Sequence, residues 1–222
     1  MAAPAVTLVH HGHACVALHA AGWPTVVVDP YRPGGLGGRI GLPPPQLEPD
    51  VVAITHDHED HAWVPPAWAD ARVVAGPGGT ACGVRIEAVP VYHDAERGTR
   101  MGLCDALVLH YAGLRVVHLG DVGEPIADAR ARRLAGADVL VVPAGGTYTL
   151  DPAGACALVA RLQPRLAIAV HLADPAIDLP LRPAAELLAI AGDRAVGWRG
   201  GTLDLTDALQ TMPGRIVVPL RD

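Results

Sequence analysis

The chain has 222 residues, half of them hydrophobic, with 17 basic against 23 acidic residues and a formal net charge of -6. That length suits one α/β domain with a sizeable core, and residues 1–222 are read as one unit. The acidic balance excludes a broad basic surface for nucleic acid, and no apolar run reaches the roughly 18 residues of a membrane-spanning helix.

The opening stretch MAAPAVTLVHHGHACVAL lacks a positive start and is interrupted by three histidines, so no signal peptide is read there. Cys15, Cys82, Cys104 and Cys156 are scattered without a C-x-x-C pair. Reduced, buried thiols in a cytoplasmic protein are the expectation.

Short apolar runs at Val6–Val9, Val16–Leu18 and Thr25–Val28, separated by glycine-containing turns, predict three strands. Tyr31–Pro49 is rich in Gly and Pro and reads as a loop beside a site, with freedom to move. Val51–Thr55 predicts a buried strand, and Arg72–Ala75 and Val84–Val91 flank a turn at Gly76–Gly79. Ala106–Tyr111 and Leu114–Leu119 predict a hairpin about Ala112-Gly113. The second half alternates: helix Ala127–Leu134, strand Val139–Val142, helix Ala153–Leu162, strand Leu166–Val170 and helix Pro183–Ala191. Asp151-Pro152 supplies a cap and a first-turn proline for the second of these helices. Ala195–Trp198, Thr202–Leu205 and Ile216–Val218 predict terminal strands. Strands followed by strand–helix alternation predict a layered α/β fold, with sheets inside and helices outside.

Residues 53–63 read AITHDHEDHAW. His56, His58, Asp60 and His61 fall within six positions, directly after a strand. Imidazole and carboxylate are ligands for zinc and similar divalent ions. A loop can turn His56 and His58 toward one ion and Asp60 and His61 toward its neighbour; a regular strand would split them differently. Three further strands end in a candidate ligand: Val84–Tyr92 delivers His93, Leu114–Gly120 delivers Asp121, and Leu166–Val170 delivers His171. Crevices at strand ends are where α/β sheets bind ligands.

H-x-H-x-D-H at 56–61 resembles the signature of the metallo-β-lactamase superfamily. Gly12-His13-Ala14-Cys15, Asp29-Pro30, His93-Asp94, Gly120-Asp121-Val122-Gly123, the Gly145-Gly146-Thr147-Tyr148 element and Val170-His171 follow in the order expected of one branch. That branch holds small bacterial metal-dependent hydrolases similar to ascorbate-phosphate lactonases, and the resemblance covers about residues 6 to 175. The resemblance implies an αββα sandwich with the site at one edge. It implies that His56, His58 and His93 hold one divalent ion, that Asp60, His61 and His171 hold a second, and that Asp121 bridges them. Met101-Gly102-Leu103-Cys104 stands where relatives often have Arg-Gly-x-Asn, and Ala169-Val170-His171 departs from the common Pro-Met-His. The substrate is therefore not carried over.

Two such ions share a hydroxide that attacks an ester, lactone or phosphodiester bond. Zinc suits the donors, and manganese or iron is accommodated by the same set. Asp60 is either a proton carrier for the leaving group or purely a ligand. Asp29 either fixes the tautomer of a ligand histidine or starts the turn at Pro30. His13 reads as a packed or turn histidine, and His118 as a strand residue. Gly145-Gly146-Thr147-Tyr148 is either an oxyanion-binding turn or a tight connection that needs glycine. Arg97 and Arg100 are candidates for an acidic substrate group, and Trp23, Trp63 and Trp68 for the pocket wall. The expected partner is a small molecule, with no nucleic acid and no membrane, and a homo-oligomer stays open. The alternatives are a nuclease of the same fold and a non-catalytic metal-binding module.

Overall fold

The computed structural model describes residues 4–126 and 128–220. Fourteen strands are found among them: β1 Val6–Gly12, β2 Cys15–Ala20, β3 Val26–Val28, β4 Val51–Ala53, β5 Arg72–Val74, β6 Gly78–Ala81, β7 Val84–Tyr92, β8 Leu103–Tyr111, β9 Leu114–His118, β10 Val139–Pro143, β11 Leu166–Val170, β12 Ala195–Trp198, β13 Thr202–Asp204 and β14 Ile216–Pro219. The main helices are α1 Asp128–Leu134, α2 Pro152–Leu162, α3 Ala184–Ala191 and α4 Leu205–Thr211. The expected start of α1 at Ala127 lies outside the described residues. None of the described helices is long and apolar enough to cross a membrane.

The strands form two mixed sheets flanked by helices, the expected αββα arrangement. One sheet runs β13-β1-β2-β3-β4-β5, the other β12-β14-β11-β10-β9-β8-β7-β6. The runs of β3, β4, β10 and β11 are apolar throughout because both faces of these inner strands are buried. Val139 and Val141 of β10, with Leu166, Ile168 and Val170 of β11, face the inter-sheet core beside Leu8, Val16 and Val28. Leu140, Val142, Ala167 and Ala169 face the other way, onto Leu158, Leu162 and Leu187 of α2 and α3. Val27 and Val52 point outward from the first sheet onto Tyr31, Ile40, Trp68 and Ile177.

Asp151 accepts a hydrogen bond from Gly154 N at 2.7 Å, capping α2 as its sequence predicts. Two elements differ from expectation. Gly78–Ala81 pairs with β7 as a strand where a turn was read. Leu205 does not end a strand but begins α4, because Asp204 accepts from Thr206 N and Asp207 N and starts a helix there.

The segment after Tyr31 is a loop, as expected, but it is anchored. Tyr31 Oη donates to the carbonyls of His11 and Pro43, at 3.1 and 2.7 Å. Ile40 bridges Ile177, and Gly41 N donates to Ala176 O at 2.7 Å.

Strands β7 and β9 are each antiparallel to β8, while β10 is parallel to β9 and to β11. Hence β7, β9, β10 and β11 all end at one edge. In the first sheet β4 runs parallel to both of its neighbours.

Candidate metal centre

Every residue proposed from the sequence as a ligand arrives at this edge. His56, His58, Asp60 and His61 lie on the turn after β4. His93 directly follows β7, Asp121 follows β9 by three positions, and His171 directly follows β11. All but His58 are buried, and His58 is half-buried.

The nitrogens converge on one oxygen. Asp121 Oδ2 lies 3.1 Å from His61 Nε2, 3.2 Å from His171 Nε2 and 3.4 Å from His93 Nε2. Ligands about 2.0–2.1 Å from a tetrahedral zinc ion stand roughly 3.3 Å apart, so this spacing suits donors around a metal. Potential donor atoms form three groups: His56, His58 and His93; His13, Asp60, His61 and His171; and Asp29, His56 and His61. The first two contain the residues that the resemblance pairs, with His13 added to the second.

Hydrogen bonds at Nδ1 orient three of these rings, His56, His61 and His93. His93 Nδ1 donates to Tyr148 O at 3.1 Å. His61 Nδ1 donates to Asp29 Oδ2 at 3.0 Å. Thr55 Oγ1 donates to the same Asp29 oxygen at 2.7 Å and accepts from His56 Nδ1 at 2.9 Å. Asp29 Oδ1 accepts from Thr55 N at 2.8 Å. Asp29 thus orients one histidine of each set, directly or through Thr55, which decides between its two sequence readings. The Nε2 atoms of His56, His61 and His93 are buried with no hydrogen-bond partner, as is Asp121 Oδ1. Buried polar atoms rarely stay unpaired, and a cation would satisfy all four.

His118 closes β9 and does more than pack. Its Nε2 donates to Ala14 O at 3.0 Å, and its Nδ1 accepts from Gly120 N at 3.1 Å, shaping the turn that presents Asp121. Glycine is needed nearby because backbones touch. A Cβ on Gly145 would overlap the His171 carbonyl oxygen, and one on Gly123 would come 2.5 Å from His93 O. Gly146 N and Tyr148 N donate to Leu150 O and Gly146 O, so the tight-connection reading of this turn holds and those amides are not free for an oxyanion.

The electrostatics follow from burial and crowding. Burial works to raise Asp121, but His171 and His61 outweigh it and hold the carboxyl well below its usual range. Burial likewise opposes the lowering of Asp29, which the His61 hydrogen bond and the charges of His61, His118 and His56 bring about. Burial, then neighbouring His61, pulls His56 down to about 3 against Asp121 and Asp29. Burial and then His171 pull His13 down to about 4. His61 is the exception: burial lowers it, but Asp121, Asp29 and Asp60 carry it well above its usual value.

A cleft of about 590 Å3 opens over the cluster, reaching His58, Asp60, His93, Asp121 and His171. Its other walls are Leu36, Met101, Tyr148 and Leu179, with Arg39, Asp57 and Glu59 bringing charge. None of the candidate tryptophans lines it: Trp68 is buried and donates to Leu47 O, and Trp23 packs on Tyr111. Arg97 and Arg100 do not line it either; Arg100 pairs with Glu96. The lining arginine is Arg39, which the sequence reading missed. Its loop is joined to a distant segment, with Arg39 O accepting from Asp178 N at 2.9 Å, and no local pattern announces that contact.

Residues 7–171 match the model of the β-lactamase superfamily domain. A protein of Methanosphaerula palustris named a metal-dependent hydrolase is 31% identical, covering 75% of this chain and 84% of its own length. One of the same name from Methanoculleus marisnigri is 30% identical, covering 72% and 78%. A crystal structure from Thermotoga maritima, described as a Zn-dependent hydrolase of the metallo-β-lactamase superfamily, is 27% identical with a TM-score of 0.71, covering 96% of this chain and 98% of its own. The family match begins in β1 and ends at His171, so it takes in the whole histidine–aspartate cluster, and the chain belongs to the β-lactamase superfamily.

Proposed function

We propose that this hydrolase works with two divalent metal ions and cleaves an ester, lactone or phosphodiester bond of a small molecule. His56, His58 and His93 would hold one ion, Asp60, His61 and His171 the other, with Asp121 between them. Zinc suits this imidazole-rich set, and manganese or iron fits the same donors. The observation that carries the reading is the approach of three imidazole nitrogens to one buried oxygen of Asp121, within 3.4 Å, beside donor atoms that lack any other partner.

Bound divalent ions supply Lewis acidity and lower the pKa of water, so that hydrolysis runs near neutral pH without a serine or cysteine nucleophile. The protein does the rest. Asp60 lines the cleft, and its carboxyl is held below the usual range: burial opposes this, and the His13 hydrogen bond with the nearby charge of His61 prevails. It would accept a proton from the attacking water and return it to the leaving oxygen, or serve purely as a ligand. Leu36, Met101 and Leu179 give the substrate an apolar wall, and Arg39 meets an anionic group on it. Asp57 and Glu59 in the same cleft work against a polyanion, which favours a small molecule over a nucleic acid.

The test is metal content by plasma mass spectrometry for the parent, His56→Ala and Asp121→Ala, followed by hydrolysis assays on ester, lactone and phosphodiester panels. About two equivalents in the parent, lost in the variants, with turnover of one panel, is the expected result. A parent that takes up no metal after reconstitution with zinc, manganese or iron overturns the reading.

A further inference from the structure

His13 sits at the tip of the β1–β2 hairpin with a left-handed φ of 52°, next to Gly12 at 116°. A histidine there carries a backbone cost that a turn glycine would avoid. The conformation sends its ring inward: the side chain is fully buried, 4.0 Å centroid to centroid from the His171 ring, with Nε2 3.0 Å from Asp60 Oδ2. Its carbonyl accepts from His171 N at 2.9 Å, so the hairpin tip and the strand end that carries His171 are tied together.

Proximity alone would make His13 another ligand, since its donor atom groups with those of Asp60, His61 and His171. The contact with Asp60 gives its Nε2 another use. A neutral imidazole has one N–H. In His56, His61 and His93 that N–H is on Nδ1 and is donated to oxygen, which leaves Nε2 bare. In His13, as in His171, Nε2 meets a carboxylate oxygen while Nδ1 is buried without a partner; the carboxylate is Asp60 for His13 and Asp121 for His171. A proton on Nδ1 would leave a buried donor unpaired and set a lone pair against the Asp60 oxygen; a proton on Nε2 makes the bond to Asp60 and leaves only an unpaired acceptor at Nδ1.

We propose that His13 is a positioning residue whose Nε2–H holds Asp60 Oδ2, fixing the carboxylate in the orientation that the second ion and the reaction require. The inference rests on the two-ion reading for its consequence, but the hydrogen bond itself is testable without metal. In metal-free protein labelled with 15N-histidine, His13 should appear as the Nε2–H tautomer, with a downfield, slowly exchanging ring proton that disappears in Asp60→Ala. A His13 found as the Nδ1–H tautomer overturns the proposal.

Cobalt titration of the same proteins then reads the consequence, with circular dichroism as the check on folding. His13→Leu should still reach two equivalents at saturation, but with the second bound about 10–100-fold more weakly. His13→Gln, whose amide N–H falls near the place of Nε2, should recover most of that affinity. Loss of the second equivalent in both variants, with the same change in the cobalt spectrum, would make His13 a ligand and overturn the proposal. An unchanged affinity in folded His13→Leu would reduce it to turn packing. A parent that binds no cobalt would instead count against the two-ion reading, and the nitrogen spectrum would still decide the hydrogen bond.

Discussion

Replacing Asp29 by Asn removes a charge and one acceptor position with almost no change in shape. Asp29 accepts three hydrogen bonds, from Thr55 N, Thr55 Oγ1 and His61 Nδ1, at 2.7–3.0 Å. An Asn in its best orientation keeps its oxygen toward Thr55 Oγ1 and His61 and turns its NH2 toward Thr55 N, a donor facing a donor. One buried N–H is then unpaired, a loss of about 1–3 kcal/mol in the metal-free protein. The two surviving bonds lose their charge assistance, so His61 is held more loosely and is a weaker base. Loss of such a supporting carboxylate typically lowers metal affinity about 10–100-fold. Competition against a chromophoric chelator measures this, with urea unfolding for the stability change. Thr55→Val is the informative companion, because it cuts the link to His56 and spares His61; it should weaken the ion held by His56, His58 and His93 more than the other. An Asp29→Asn protein that folds and binds zinc as tightly as the parent would refute the claim that this carboxylate orients the ligands.

Three other expectations follow from the same geometry. Gly145→Ala drives a methyl group into the His171 carbonyl oxygen; it should lose about 1–3 kcal/mol in urea unfolding and bind its second metal equivalent more weakly, whereas unaltered unfolding would mean the loop yields freely. The raised pKa of His61 means that in the metal-free site its Nε2, which only the neutral ring offers to a metal, carries a second proton facing Asp121 Oδ2. Binding must displace that proton, so calorimetry at neutral pH in buffers of different ionisation heat should show about one proton released and affinity rising with pH; no release would place His61 neutral. Arg39→Ala should raise KM for substrates bearing a carboxylate or phosphate while leaving kcat and metal content nearly unchanged, and equal KM values would remove Arg39 from recognition.

The edge was legible because the candidate ligands follow short runs rich in valine and other apolar residues, of strand length, as with Leu166–Val170 before His171. The role of Asp29 was legible only as one of two readings, and that of His13 was passed over for a packed or turn histidine. Each depends on a partner far along the chain, Asp60 and His61 respectively, and nothing local to Gly12-His13 or Asp29-Pro30 distinguishes a turn from a support. The cleft walls were hidden for the same reason. Leu36 and Arg39 come from a glycine-rich loop, and only the bridge from Ile40 to Ile177 makes it a wall. By contrast α4 carried a readable signal, since Asp204 precedes Thr206 and Asp207 as a cap, but the apolar alternation of Thr202–Leu205 competed with it.

The hydrogen bond from His171 N to His13 O joins the first hairpin of one sheet to an inner strand of the other. In folding terms, the two halves of the ligand set cannot meet until both sheets have formed and stacked. The centre is therefore assembled late, after the loop-closure entropy of nearly the whole matched region has been overcome. A metal ion arriving early would find only the local group at His56–His61, so uptake of the full complement belongs to the native sandwich and not to its nucleus. Metal bound there would favour the stacked sheets over the separated ones, so its removal should lower resistance to unfolding.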